Sequence, residues 1–301
     1  MIRREGSGRR VDPSYFILAI IGVSLVIVQV NQRVGSPVLA ILDRWMRWLG
    51  FAFGAALICR SFALIDRPYW MLAAAFFLLW FLGETLYNWL AISALSVSPM
   101  PLFPRYVVNQ SGEEWPVQPR FLKVRDWLRR QGFRQAQALK AEVGGGIYLR
   151  VSIYQDEGAT VRVQITFLPQ FNGTIVVCYA LTSVTADGRW IVTDNHYTPF
   201  AGFYPENWYV VRKPWRRSLP RLIALHQARL AAAGQPAHLT ADPAAELNTT
   251  QRELDRLNTE LGFLHRQTDR EELGKITQAG RYRVWKEIWM LNYLGRSARY
   301  Q

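Results

Sequence analysis

The 301-residue sequence predicts a chain in three parts. They are a membrane α-helical N-terminal region, an α+β soluble domain built as a four-strand antiparallel meander flanked by helices, and a C-terminal helical hairpin. Three observations predict them. Apolar runs dominate the first 95 residues. Between residues 147 and 193, short apolar segments alternate with Gly-containing turns, the pattern of antiparallel strands. Beyond residue 242, leucines and then aromatic residues recur at helical spacing.

Half of the residues are hydrophobic and 20% are charged, which excludes wholesale disorder. Two cysteines exclude a disulfide scaffold and a multi-cysteine metal site, and no cofactor or metal is expected. The net charge of +13 divides into +4 over residues 1–100, +7 over 101–242 and +2 over 243–301. Such a spread suits an anionic bilayer surface at least as well as nucleic acid.

Residues 1–95 form the predicted transmembrane region. Residues 14–30 carry no charge, and a helix needs about 17–20 apolar residues to cross about 30 Å of hydrocarbon. Arg3, Arg4, Arg9 and Arg10 precede this run and Arg33 follows it, with no small-residue cleavage site between, so it reads as a retained span. Residues 45–65 and 69–95 read as a hairpin of two further spans broken at Asp66-Arg67-Pro68, and residues 37–44 as an interfacial lead-in. Aromatic residues such as Tyr69, Trp70, Tyr87 and Trp89 fit interfacial belts. Arg47 and Arg60 interrupt the first of these spans and Glu84 the second, and Arg60 and Glu84 are the candidate intramembrane charged residues. Counted from the turn they lie at depths of roughly 10 Å and 25 Å, so they are expected to snorkel separately rather than pair. With the N-terminus inside, five arginines face inward and four outward, a small margin for that orientation.

Residues 96–118 read as a Pro-rich linker before the α+β domain, 119–233. That domain opens with a helix from Pro119 whose apolar stripe is Phe121, Val124 and Leu128, closed by Gly132. Gly144-Gly145-Gly146 is not a phosphate loop, because no Lys-Ser/Thr follows it. Strands are predicted at 147–154, 160–168, 174–182 and 189–193, turning at Gly158, Asn172-Gly173 and Asp187-Gly188. Cys178, inside the third, is expected to be buried and inert.

The candidate catalytic residues are Asp194 and His196, two positions apart and able to share an acid–base site, with Asp187, Glu206 and His226 as further members. Arg212, Lys213, Trp215, Arg216 and Arg217 form the densest basic run. With Trp285 and Trp289 they are the candidate residues for contact with a membrane surface or partner. Nucleic acid is the less favoured partner of the run. A helix from Ser218 carries His226 on its apolar side.

The succession Ser183, Asp187-Gly188, Thr193-Asp194-Asn195 and Leu225-His226 resembles a pattern in uncharacterised bacterial membrane proteins, over residues 148–230. The resemblance implies N-terminal spans, a small α+β domain and a place in a bacterial cytoplasmic membrane; it implies no activity. Residues 242–301 are the C-terminal segment. Asp242-Pro243 starts a helix, and Leu247, Thr250, Leu254, Leu257, Leu261 and Leu264 form a seam for the chain's own last helix, a second copy or a partner membrane protein. The expected function is that of a membrane-anchored, non-enzymatic assembly, scaffold or sensing component, with the bilayer as partner. The alternative is a membrane-bound hydrolase or transferase using Asp194 and His196.

Overall fold

The computed structural model describes residues 13–34, 36–112, 115–170 and 173–298. The arginines at 3, 4, 9 and 10, the side chain of Arg33, and Asn172 of the predicted hairpin turn lie outside the described residues. The chain divides into two compact units, Met1–Trp89 with Asn292–Gly295, and Leu90–Leu291 with Arg296–Gln301.

Helices α1 (Pro13–Val34) and α2 (Pro37–Ser61) and most of α3 (Tyr69–Val97) build the first unit. α1 and α2 pack closely because α2 presents glycines. A Cβ on Gly50 would lie 3.3 Å from Ile20, and one on Gly54 3.9 Å from Ile17, so the helices approach where side chains are missing. Ser24 donates to the buried Asp43 at 2.6 Å, and Arg47 pairs with that carboxylate at 3.0 Å. α2 meets α3 through Trp48, which donates to the Phe77 carbonyl at 2.9 Å and stacks on the Phe77 ring. The lead-in expected at 37–44 is instead the first two turns of α2, with Pro37 in the first turn, where its missing N–H costs nothing.

Two described helices, Ser14–Gln32 within α1 and Tyr69–Val97, are long and apolar enough to cross a membrane. α2, which carries Asp43, Arg44, Arg47 and Arg60, is not among them.

The second unit is built on a mixed eight-strand sheet. Strand β1 (Arg105–Val108) is followed by helix α4 (Pro119–Arg130), then by β2 (Arg134–Glu142), β3 (Tyr148–Gln155), β4 (Arg162–Pro169), β5 (Ile175–Thr185), β6 (Trp190–Asp194) and β7 (Trp208–Arg212). Helix α5 (Leu219–Ala233), strand β8 (Pro236–Ala237) and helices α6 (Pro243–Glu260), α7 (Arg270–Leu273) and α8 (Gln278–Trp289) complete it. A π-helical turn, Met290–Leu294, follows α8.

The α+β layout agrees with the sequence, but the sheet is larger than a four-strand meander. β3 to β6 are the four expected strands. β1 lies inside the expected linker, β2 precedes the meander, β7 pairs parallel with β6, and β8 pairs with the end of β5. One face, with Tyr154, Val163, Ile165, Leu181 and Ile191, packs against Phe121 and Leu128 of α4 and Leu219, Leu222 and Ile223 of α5. Each fully buried side chain of this kind contributes about 1.5–3 kcal/mol. The other face, at Tyr106, Leu139, Val151 and Ile153, is covered by Ala244 and Leu247 of α6.

α6 therefore lies on the sheet and does not form one arm of a helical hairpin. Its buried stripe is Ala244, Thr250, Leu254 and Asn258, whereas Leu261 is exposed. Asn248 explains the register. Its Oδ1 accepts from Tyr106 N and its Nδ2 donates to Tyr106 O, both at 2.8 Å, so one amide satisfies the outer edge of β1.

Candidate functional site

Asp194 ends β6 and Arg212 ends β7, in parallel register opposite each other. Their side chains, 4% and 3% exposed, meet in an ion pair of 2.9 Å between Arg212 Nε and Asp194 Oδ1. Arg212 also approaches Glu287 of α8 at 3.6 Å and donates to the Thr198 carbonyl at 3.2 Å. Glu287 accepts from Phe200 N at 3.1 Å. The 195–207 connection is fastened further by Asn258 of α6. Its Oδ1 accepts from Phe203 N at 2.7 Å and its Nδ2 donates to Phe203 O at 3.0 Å.

The predicted acid–base pair thus has a different character. His196 N donates to Asp194 Oδ1 at 3.0 Å, while the His196 ring is 3.9 Å from Oδ2, beyond a hydrogen bond. The ring is 30% exposed. Desolvation holds it below its ordinary pKa while the Asp194 carboxylate pulls the other way. Arg212 satisfies the carboxylate a base would need. Cys178, on the neighbouring β5, is buried, and desolvation pushes its thiol up to about 12, leaving it protonated and weakly nucleophilic.

The remaining candidates do not converge on this pair. Glu206 is exposed in the loop before β7. Asp187 lies in the β5–β6 turn, where bonds from Arg189 and Thr185 hold its carboxyl down at about 2. His226 is fully buried in α5. Ser183 Oγ donates to the Thr160 carbonyl at 2.7 Å, so it accepts from His226 Nε2 at 3.0 Å. Arg229 donates to Thr193 Oγ1, whose hydroxyl then donates to His226 Nδ1 at 3.0 Å. The bonds assign a neutral imidazole with its proton on Nε2. Ser183, Thr193 and His226, three residues of the sequence pattern, are therefore parts of one buried chain that joins α5 to the sheet.

Arg212 is buried and so leaves the basic run read as a surface feature. Lys213, Trp215, Arg216 and Arg217 are exposed. Trp215, Arg216 and Arg217 line a shallow 380 Å³ cavity with Arg221 at the start of α5. Trp285 and Trp289 are partly buried on α8, with Trp285 against the cluster of Phe263, Leu264 and Ile276. A groove of 1090 Å³ between residues 101–105 and α6 has charges that pair with one another, Arg270 with Asp255 at 3.0 Å and Arg256 with Glu260 at 3.4 Å.

In the first unit, Arg60 is exposed in the last turn of α2 and Glu84 lies near the middle of α3. Glu84 Oε2 accepts from Trp80 Nε1 at 3.0 Å and from the Tyr293 hydroxyl. Sequence reasoning missed Tyr293 and Glu287, because their partners lie far away in the chain: Glu287 accepts from Phe200 N across 87 residues and Tyr293 meets Glu84 across 209. Among the described residues no group of three or more His, Cys, Asp or Glu could hold a metal ion. No protein-family model, curated protein or solved structure matches the chain, so no activity is transferred to it from another protein.

Proposed function

We propose that the chain is a membrane-anchored, non-enzymatic protein, an assembly, scaffold or sensing component whose α+β unit is tethered at the surface of a bacterial cytoplasmic membrane. One observation carries this reading. Only 17% and 11% of the residues in the most apolar stretches of α1 and α3 are buried, and Leu18, Leu25, Leu78, Leu82 and Leu86 point outward. A core helix of a water-soluble protein would bury these side chains. An exposed apolar surface of this extent favours lipid as its surroundings.

The hydrolase or transferase alternative draws less support. Its carboxylate is bound to Arg212 and its neighbouring thiol is protonated. Three spans would require α2 to cross with its charges satisfied inside the unit, as Asp43 is by Ser24 of α1 and by Arg47 of α2 itself.

Alkaline carbonate extraction of membranes tests the anchor. The full chain is expected in the washed pellet, and release into the supernatant would overturn the reading. Fusions of alkaline phosphatase and of a fluorescent protein after residue 301 then give the side. Phosphatase activity with a dark fluorophore corresponds to three spans with the N-terminus inside.

A further inference from the structure

A cavity of 620 Å³ lies within the first unit, between α2, α3 and the π-helical turn. From α2 it receives Arg44, Arg47 and Phe51, spaced to share one helix face. From α3 it receives Leu79, Trp80, Gly83, Glu84, Tyr87 and Asn88. The volume falls in the range of small-ligand sites.

Its polar groups are unevenly engaged. Arg47 pairs with Asp43, and Glu84 holds two donors on a single oxygen, leaving Oε1 available among the described residues. Arg44 is attracted to Glu84 and Tyr293, with no direct ion pair among the described residues. Asn88 is 7% exposed, lies at the cavity wall, and its Nδ2 has no hydrogen-bond partner among the described residues. A buried donor left unmatched costs about 1–3 kcal/mol. Asp43 behind the lining balances Arg47, so Arg44 is the lining arginine without a direct ion pair among the described residues, beside apolar walls that continue into the outward leucines of α3. Gly83 keeps the space open, because a Cβ there would meet nothing within 4 Å.

We propose that this cavity binds the headgroup of an anionic phospholipid. Arg44 and Arg47 face the phosphate, the free Glu84 oxygen accepts a headgroup hydroxyl, and Trp80 and Tyr87 lie along the glycerol and upper chains. Arginine suits phosphate because its planar fork gives paired, charge-assisted bonds. The inference rests on the membrane reading above.

Native mass spectrometry of the detergent-purified full chain, offered equimolar phosphatidylglycerol and phosphatidylcholine, tests it. The expected result is one retained phosphatidylglycerol with about tenfold preference, because both lipids carry the phosphate but phosphatidylcholine adds a quaternary ammonium that the arginines repel and has no headgroup hydroxyl for Glu84. The preference should fall to about one in Arg44→Gln and persist in Arg60→Gln, an arginine outside the cavity. Gly83→Leu should fill the space and remove the adduct with the melting temperature unchanged. Equal retention of both lipids, a preference untouched by Arg44→Gln and Gly83→Leu, or displacement by excess inorganic phosphate would overturn the lipid site. Carbonate extraction of the same membranes keeps the two readings separate: a chain that stays in the pellet without lipid preference loses the site and keeps the anchor.

Discussion

Burial holds the His226 imidazole down at about 3, with the Arg229 charge adding to the effect. The chain from Arg229 through Thr193, His226 and Ser183 to the Thr160 carbonyl uses each ring nitrogen once, so a second ring proton would face the Thr193 hydroxyl proton. The folded pKa lies below the unfolded value of about 6.5. Between those limits the unfolded chain binds a proton that the folded chain refuses, so stability is complete above about pH 6.5 and declines as the pH falls toward 3. Acidification from about pH 7 to about pH 5 should therefore cost about 2 kcal/mol through this residue. Thermal unfolding of the purified chain across that range checks it. His226→Gln should start less stable at neutral pH and show a shallower acid slope, whereas an unchanged slope would mean that the ring takes a proton in the fold. Ser183, Thr193 and His226 were legible as a spaced set in the sequence. Their meeting was not, because it depends on which face of β5 and β6 receives α5. Arg212 illustrates the opposite problem. Within Arg-Lys-Pro-Trp-Arg-Arg it reads as one more surface charge, and only parallel pairing of β7 beside β6 aligns it with Asp194 and removes it from water.

Elements that alternate cleanly were legible and those that do not were missed. In β4, Val163, Ile165 and Phe167 share one face and Arg162, Gln164 and Thr166 the other, as period-two spacing dictates. β2 begins Arg-Gln-Ala-Gln-Ala, too polar to announce a strand, and becomes one because β1 and β3 pair with it on both sides. β1 was hidden among prolines. α6 was legible as a helix, and its N-cap is in place, with Asp242 accepting from Ala244 N and Ala245 N. Its partner was not legible, since a leucine seam fits a helix or a sheet equally. The start of α8 offers a sharp test of packing against propensity. Gly280 lies in its first turn, and a Cβ there would approach the Phe263 carbonyl to 2.4 Å and Ile276 to 2.8 Å. Helix propensity alone favours Gly280→Ala by up to about 1 kcal/mol, whereas forcing atoms into a filled site costs about 1–3 kcal/mol. The carbonyl also accepts from Thr277 N and cannot move freely. Gly280→Ala should therefore lower the melting temperature, and a rise would show that the 263–277 turn relaxes at no cost.

At the scale of the whole molecule, anchoring by two apolar helices predicts an asymmetry that neither helix alone would reveal. α1 stands near the N-terminus, where a removable targeting segment has the same composition as a span, while α3 begins at Tyr69 and cannot be read that way. A chain started at Ser36 lacks α1 entirely and exposes the α2 face at Gly50 and Gly54, so it should be less stable, yet α3 should still hold it in carbonate-washed membranes. Adding Leu82→Arg and Leu86→Arg to that shortened chain puts two charges on outward positions one turn apart near the middle of α3. Each costs about 2.5–3.5 kcal/mol at the centre of a span, enough together to shift the partition by several powers of ten. The same pair in the full-length chain should release it less completely, because α1 remains as a second anchor. Retention of the shortened double variant in the pellet would assign the membrane contact to some other surface. Release of the shortened chain without the arginines would mean that α1 alone anchors the protein. The outward leucines of α3 would then have to be covered by another protein chain rather than by lipid.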